Sequence, residues 1–219
     1  MHGYGLVSKV FAPSDLFAAS AELSKQDLRR SRAGARHVLA VRSITELAQS
    51  SSLMEIARGL LGNAAIPFRA TFFDKSQNSN WLVAWHQDTA LPLAARNEIP
   101  SWGPWSTKDG VLYAHAPAET LEQVLALRVH LNDSTNKNGP LRVIPDTHKI
   151  GVLTDQEIRQ RVGDSSGVEC LAEVGGVVAM RPLLIHASSK SDSELPRRVL
   201  HVEYAWSLVF ANSLELAVV

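Results

Sequence analysis

The chain has 219 residues, 45% of them hydrophobic and 20% charged, which suits one soluble globular domain able to bury a sizeable core. Lys+Arg and Asp+Glu are equal at 22 each, so no net charge draws the protein to nucleic acid or to an anionic membrane. Its single cysteine, Cys170, excludes an internal disulfide framework and a zinc site built on several thiolates, so any metal must be held by nitrogen and oxygen.

No apolar run approaches the roughly 18–20 residues needed to cross a bilayer. The first residues carry no basic segment followed by an apolar run, and a reducing cytoplasm is the expected compartment. Residues 14–62 read as helical. Ser14 and Asp15 can cap a first helix, whose apolar positions Leu16, Phe17, Leu23 and Leu28 recur at helical spacing. Ile44, Leu47, Leu53, Ile56, Ala57, Leu60 and Leu61 form a second periodic set, interrupted by the serines at 50–52 and stopped by Gly62-Asn63. These helices suit one face of a sheet.

From Ile66 onward short β-rich runs alternate with turn formers. The runs are Ile66–Phe73, Trp81–His86, Leu125–Leu131, Leu141–Ile144, Val177–Met180, Leu183–His186 and Val199–Ser207. Turn signals lie at Lys75–Asn80, Asn136–Pro140 and Gly175-Gly176. This pattern predicts a barrel or sandwich rather than a parallel α/β sheet. Thr154–Val162 reads as a short helix. Residues 89–118, with Trp102, Trp105, four prolines and two glycines, read as a long irregular loop, which is usually functional or mobile.

The sharpest local feature is Trp85-His86-Gln87-Asp88 at the end of a predicted strand. Side chains at i and i+2 of an extended backbone face the same way, so His86 and Asp88 point together and Gln87 turns aside. One imidazole and one carboxylate are two-thirds of the facial triad that holds non-haem iron(II). A chance His-x-Asp is common, so the pair alone is weak. His186 ends an apolar run and precedes small polar residues, which suits a third ligand; a buried, hydrogen-bonded histidine is the competing reading. Arg197 lies 11 positions later across a polar turn, and two antiparallel strands joined by that turn would bring it near the metal region. A buried guanidinium needs an anionic partner, and a dicarboxylate supplies one in the bidentate geometry that arginine suits. Ser188, two beyond His186, can donate to the same carboxylate. Arg198 reads as a strand-edge residue or a salt-bridge partner of Glu194 or Glu203.

With these residues in hand, the chain resembles the phytanoyl-CoA dioxygenase family of iron(II)- and 2-oxoglutarate-dependent oxygenases. The resemblance is carried by Trp85–Asp88, by Leu127–His148 ("LRVHLNDSTNKNGPLRVIPDTH") and by Gly176–Arg197 ("GVVAMRPLLIHASSKSDSELPR"), and it spans about residues 66–207. It implies a mainly β fold with flanking helices, built on a double-stranded β-helix (jelly-roll, cupin-like) core. One domain over residues 1–219 is expected, with 1–65 a mostly helical flank and 66–207 the jelly-roll core. The resemblance also implies His86, Asp88 and His186 as iron(II) ligands and catalytic centre, Arg197 and Ser188 as the 2-oxoglutarate clamp, and O2 as the oxidant. Three protein ligands on one face of an octahedron leave three positions for 2-oxoglutarate and O2. Asp88 favours hydroxylation, because related halogenases lack that carboxylate. One departure is Asp146, where the family usually has glycine.

Other polar residues carry weaker expectations. His201 and Glu203 are also spaced i, i+2; His201 shares parity with Arg197 and can face the site as a donor. His130 and Arg128 suit packing or salt-bridge roles. Asn138 and Gly139 make a turn; His115 and His148 suit the surface. Trp81 and Trp85 suit a core. Trp102, Trp105 and Gln87 are the substrate candidates, since 89–118 matches no family pattern. Lys75 can reach a co-substrate carboxylate, although a surface turn suits it better. The expected activity is hydroxylation of a small-molecule metabolite with release of succinate and CO2. The competing readings are a cupin-type metal enzyme without 2-oxoglutarate and a non-catalytic metal-binding jelly roll. Neither nucleic acid nor membrane is an expected partner, and oligomeric state is not legible.

Overall fold

The computed structural model describes residues 2–25, 30–31, 34–76, 79–210 and 214–219. The chain opens with an edge strand, β1 (Tyr4–Val7), which the sequence reading passes over. A 3-10 turn at Pro13–Leu16 then enters α1 (Phe17–Lys25), and the Asp15 carboxylate accepts from the Ala12 amide at 2.9 Å. Leu16 and Leu23 are buried, whereas Phe17 is 73% exposed; Leu28 lies outside the described residues, as do residues 77 and 78 of the turn expected at Lys75–Asn80. The helical reading of 14–62 fails next, because β2 (Arg30–Ser31) and β3 (Gly34–Arg36) pair with each other. Gly34 has φ +84°, and a Cβ there would stand 2.4 Å from the Phe72 carbonyl oxygen. Glycine therefore lets this segment lie against the neighbouring strand instead of coiling. The second apolar set forms two helices, α2 (Arg42–Ala48) and α3 (Ser51–Leu61). Ser50 caps α3 through its side chain, and Gly62, at φ +93°, ends it.

Next come β4 (Ile66–Lys75) and β5 (Val83–His86). The stretch read as a long loop instead holds a small antiparallel sheet of β6 (Ala90–Leu93), β7 (Trp105–Lys108) and β8 (Val111–His115), in the order β6-β8-β7. Its prolines mask it: Pro92 sits in β6, an edge strand, where a missing amide hydrogen is tolerated. The turn between β7 and β8 is Asp109-Gly110, both at positive φ, a two-residue hairpin signal. Then follow α4 (Ala118–Leu121), β9 (Val124–His130), β10 (Leu141–Val143), α5 (Asp155–Val162), β11 (Val168–Cys170), β12 (Val177–Met180), β13 (His186–Ser188), β14 (Arg197–Ala205), β15 (Val209–Phe210) and β16 (Leu214–Glu215). The short helix expected at Thr154–Val162 is α5, and Thr154 caps it in a reciprocal box with Glu157.

One predicted strand is a turn. Leu183, Leu184 and Ile185 are buried in three different apolar clusters, so the run is apolar on every side and has no strand alternation. Hydrophobicity alone does not separate these cases. His186 consequently opens a strand rather than ending one.

The architecture is mainly β with flanking helices. A seven-stranded antiparallel sheet, ordered β1-β12-β9-β14-β4-β3-β2, packs against a four-stranded sheet, β11-β10-β13-β5. Alternation along the large sheet sorts the side chains. Leu125, Leu127, Val129, Leu200, Val202, Tyr204, Ala70 and Phe72 join the helices in one apolar cluster. Ala126, Val178 and Met180, on the other face, join Leu141, Val143 and Cys170 of the small sheet. The same inward parity at one end of the sandwich carries polar side chains, and they line a cavity of about 690 Å³. Among the described residues no helix is long and apolar enough to cross a membrane.

Candidate metal centre

His86 is the last residue of β5 and pairs across the strands with His186, the first residue of β13. The two rings have centroids 4.2 Å apart. Asp88 lies just past the strand, held by its amide to the Pro182 carbonyl at 2.9 Å. Its carboxylate oxygens are 3.5 Å from His86 Nε2 and 3.4 Å from His186 Nε2. The three donor atoms lie within 4.8 Å of one another, and the three residues share the wall of the cavity.

The donor set fits a dication. His86 Nδ1 lies 2.8 Å from the Ala84 carbonyl and His186 Nδ1 lies 2.8 Å from the Leu184 carbonyl. A carbonyl only accepts, so each Nδ1 carries the hydrogen and each Nε2 lone pair points at the shared centre. Burial, and next His86, push the His186 pKa below the ordinary imidazole value. Burial opposes the charge on Asp88, but His186 and His86 outweigh it and hold the carboxyl well below the usual range. Two imidazoles presenting Nε2 and a carboxylate, with no sulfur, suit iron(II).

Gln87 turns aside, as the alternation requires. Its Nε2 donates to the Gly151 and Leu183 carbonyls at 2.9 and 2.7 Å, and its Oε1 accepts from the Leu153 amide at 2.8 Å. The amide is thus engaged on both ends with backbone that braces the ligand segment.

The structure brings Ser188 and Arg197 together, by a different route from the expected hairpin. The chain crosses from the small sheet to the large one, where Arg197 pairs with Lys75 of β4. Ser188 Oγ donates to the Gly139 carbonyl at 2.8 Å, accepts from Lys75 Nζ at 2.7 Å and lies 3.4 Å from Arg197 Nη2. Arg197 Nε donates to the Asn138 carbonyl at 3.3 Å. Lys75 is 1% exposed, so the surface reading fails: its side chain takes the inward parity of β4 and also donates to the Ser189 carbonyl. Burial, then Arg197 and Arg128, lower the Lys75 pKa to about 7, and burial with Arg128 lowers that of Arg197 to about 9. This end of the cavity therefore holds more positive charge than the protein balances.

His201 is buried in the cavity wall; its Nδ1 accepts from Arg128 Nη1 at 2.9 Å, and the Arg128 Nε has no partner among the described residues. Glu203 is held by Arg69, so His201 and Glu203 are not a second ligand pair. His130 faces the Gly176 carbonyl away from the cavity, and Arg198 pairs with Asp74 rather than with either expected glutamate. Gly139 makes its turn at φ +67°, and Asn138 braces it through side-chain bonds to Thr135 and Asp133. Asp146 adopts φ +67°, keeping the glycine-like conformation at the position where the family pattern has glycine. Trp102 is buried in an apolar cluster and Trp105 packs against it; neither lines the cavity. Trp81 does line it, while Trp85 packs against the cluster beside α5. His115 is exposed at the cavity rim beside Thr89, and His148 is half-buried elsewhere. Arg69, Lys108 and Tyr113 are cavity residues that sequence reasoning missed. Counting alternate positions back from Lys75 would have found Arg69, and the Asp109-Gly110 turn would have found the other two.

The family model for phytanoyl-CoA dioxygenase (PhyH) matches residues 5–199. L-proline trans-4-hydroxylase from Streptomyces griseoviridis is 26% identical over 184 residues, which cover 72% of this chain and 61% of that protein. The chain therefore spans less than two thirds of that relative's length. Among solved structures, EctD from S. alaskensis with 2-oxoglutarate and 5-hydroxyectoine is 19% identical with a TM-score of 0.69, covering 93% of this chain and 72% of that one. HygX from Streptomyces hygroscopicus with nickel and 2-oxoglutarate bound is 16% identical with a TM-score of 0.64, covering 95% and 84%. These likenesses establish the shared fold.

Proposed function

The chain belongs to the phytanoyl-CoA dioxygenase family, and from that premise we propose that it is an iron(II)- and 2-oxoglutarate-dependent dioxygenase that hydroxylates a small-molecule metabolite. One observation carries the reading: two imidazoles and a carboxylate converge within 4.8 Å on the wall of a cavity that Ser188, Lys75 and Arg197 also line. A metal centre and a cationic clamp for a dicarboxylate in one cavity are what this chemistry needs.

His86, Asp88 and His186 would hold the metal, with Ala84 and Leu184 setting the tautomers. Iron(II), when bound with 2-oxoglutarate and O2, would supply the oxidising power, with 2-oxoglutarate converted to succinate and CO2. Arg197, Lys75 and Ser188 hold the distal carboxylate of 2-oxoglutarate, matching a buried excess of positive charge with an anion. The cavity would present the substrate C–H bond to the metal. The chain folds as one domain in this reading, and its lone thiol, Cys170, is buried, in keeping with a reducing compartment.

The names of relatives and neighbours support a small-molecule substrate, since they act on or bind proline and 5-hydroxyectoine. The test is succinate formation from 2-oxoglutarate with iron(II) and O2, screened across metabolites including L-proline. Metal-dependent succinate release, stimulated by one metabolite class and lost in Asp88→Ala, is expected. Metal-dependent turnover that ignores 2-oxoglutarate would point instead to another cupin-type chemistry.

A further inference from the structure

Six cationic side chains line the cavity (Arg36, Arg69, Lys75, Lys108, Arg128 and Arg197) against two carboxylates, Asp88 and Glu203. Arg69 is matched by Glu203, and Arg36 by Asp109 at 3.1 Å. Asp88 belongs to the triad, where a dication would more than cancel it. Lys75, Lys108, Arg128 and Arg197 remain with no carboxylate partner among the described residues. Charge left unmatched in a cavity is costly. A single 2-oxoglutarate brings two negative charges, so further positive charge stays unbalanced when it is bound.

The unmatched cations fall at two ends. Lys75 Nζ, 2.7 Å from Ser188 Oγ, marks one end. Lys108 Nζ and the Arg69 guanidinium, 4.6 and 5.6 Å from the centroid of the Tyr113 ring, mark the other. Both ends share the cavity wall with the triad. The Lys108 end is also built: Lys108 Nζ stands 4.6 Å from the centroid of the Tyr113 ring, the Tyr113 hydroxyl meets His37 Nε2 at 3.0 Å, and the Arg36–Asp109 pair pins the hairpin turn beside Lys108. A flexible cation is thus held over the cavity on a fastened β7–β8 hairpin, in the stretch where substrate choice is expected.

We propose that the substrate is an organic acid whose carboxylate is bound by Lys108, which orients the rest of the molecule toward His86, Asp88 and His186. The inference rests on the oxygenase reading for the triad and the clamp. Lys108 selects between an acid and its neutral amide, and Tyr113 positions the ammonium.

The experiment uses protein labelled with ¹³C at the lysine ε-carbon, loaded with nickel(II) and 2-oxoglutarate. L-proline, the other common α-amino acids and short monocarboxylic acids are titrated in, each beside its primary amide. The Lys108 signal is assigned by its loss in Lys108→Arg. At least one acid should move that signal saturably, with its amide binding about tenfold more weakly; Lys108→Gln should weaken that acid by about tenfold and Lys108→Arg by much less. The proposal is overturned if no acid moves the signal, if acid and amide bind within twofold of each other, or if Lys108→Gln binds the acid as the wild type does. Calorimetry of 2-oxoglutarate with the nickel-loaded wild type separates the two failures. Absence of binding there undermines the oxygenase reading, whereas tight binding with an indifferent Lys108 undermines only this inference.

Discussion

Replacing Arg197 with alanine separates a ligand-binding role from a structural one. The guanidinium is 3% exposed, and its hydrogen bonds, at 3.3 Å to the Asn138 carbonyl and 3.4 Å to Ser188 Oγ, are long. Burial and Arg128 lower its pKa to about 9. A cation whose folded pKa lies below its unfolded value costs stability at neutral pH, and that cost fades only as the pH rises through 9 toward the unfolded value. Arg197→Ala should therefore leave the melting temperature of the ligand-free protein unchanged or raised. A hydrogen bond to a charged group contributes about 1.5–3 kcal/mol, which is about 10- to 150-fold in Kd. Lys75 and Ser188 remain in the variant, so the loss of 2-oxoglutarate affinity should sit near the lower bound. Calorimetric binding and thermal unfolding of the same two proteins supply both numbers. A melting temperature lower by several degrees with 2-oxoglutarate affinity unchanged within twofold would refute the reasoning.

Three further outcomes follow from named contacts. With the Lys75 pKa lowered to about 7, an anion that needs the ammonium should bind with proton uptake. Affinity for 2-oxoglutarate should then fall by up to about tenfold per pH unit above 7, and calorimetry in buffers of different ionisation enthalpy should lose this uptake in Lys75→Met. Gln87→Leu leaves two carbonyls and one amide without their partner and should cost about 2–4 kcal/mol in denaturant unfolding; an undiminished midpoint would mean that water replaces the amide. Gly139→Ala places a Cβ 2.4 Å from the Ser189 carbonyl oxygen and 3.1 Å from Lys75 Nζ, at φ +67°. It should lower both the melting temperature and the 2-oxoglutarate affinity; a variant with wild-type affinity would show that the clamp tolerates a shifted turn.

His86 and Asp88 were legible because their spacing is local, i, i+2 around a strand end. His186 was read from a strand that proves to be a turn, beside a competing reading as a buried histidine, and the family resemblance tied it to the pair. Arg197 and Ser188 were read as a pair from a supposed hairpin and from the family resemblance; the structure unites them by a crossover between sheets and not by the hairpin the intervening turn suggests. Lys75 was misplaced because proximity to a turn reads as surface, whereas the alternation Arg69, Thr71, Phe73, Lys75 points inward. Residues 183–185 misled because three consecutive apolar side chains enter three separate clusters, which mimics a strand in composition. The β6–β8 sheet was hidden by prolines, although its Asp-Gly turn was in plain view. Trp102 and Trp105 drew attention by size and loop membership; both serve an apolar cluster, and the charged and aromatic partners beside the cavity, Lys108 and Tyr113, lie a few residues away.

The central claim is that His86, Asp88 and His186 form one metal site that shares its cavity with a 2-oxoglutarate clamp. The direct measurement is anaerobic iron(II) titration followed by 2-oxoglutarate, read by visible absorption, on the wild type and on Asp88→Ala and His186→Ala. One iron per chain and a charge-transfer band that appears only when 2-oxoglutarate joins the wild-type complex is the predicted result. Undiminished iron affinity and the same band in either variant would contradict it.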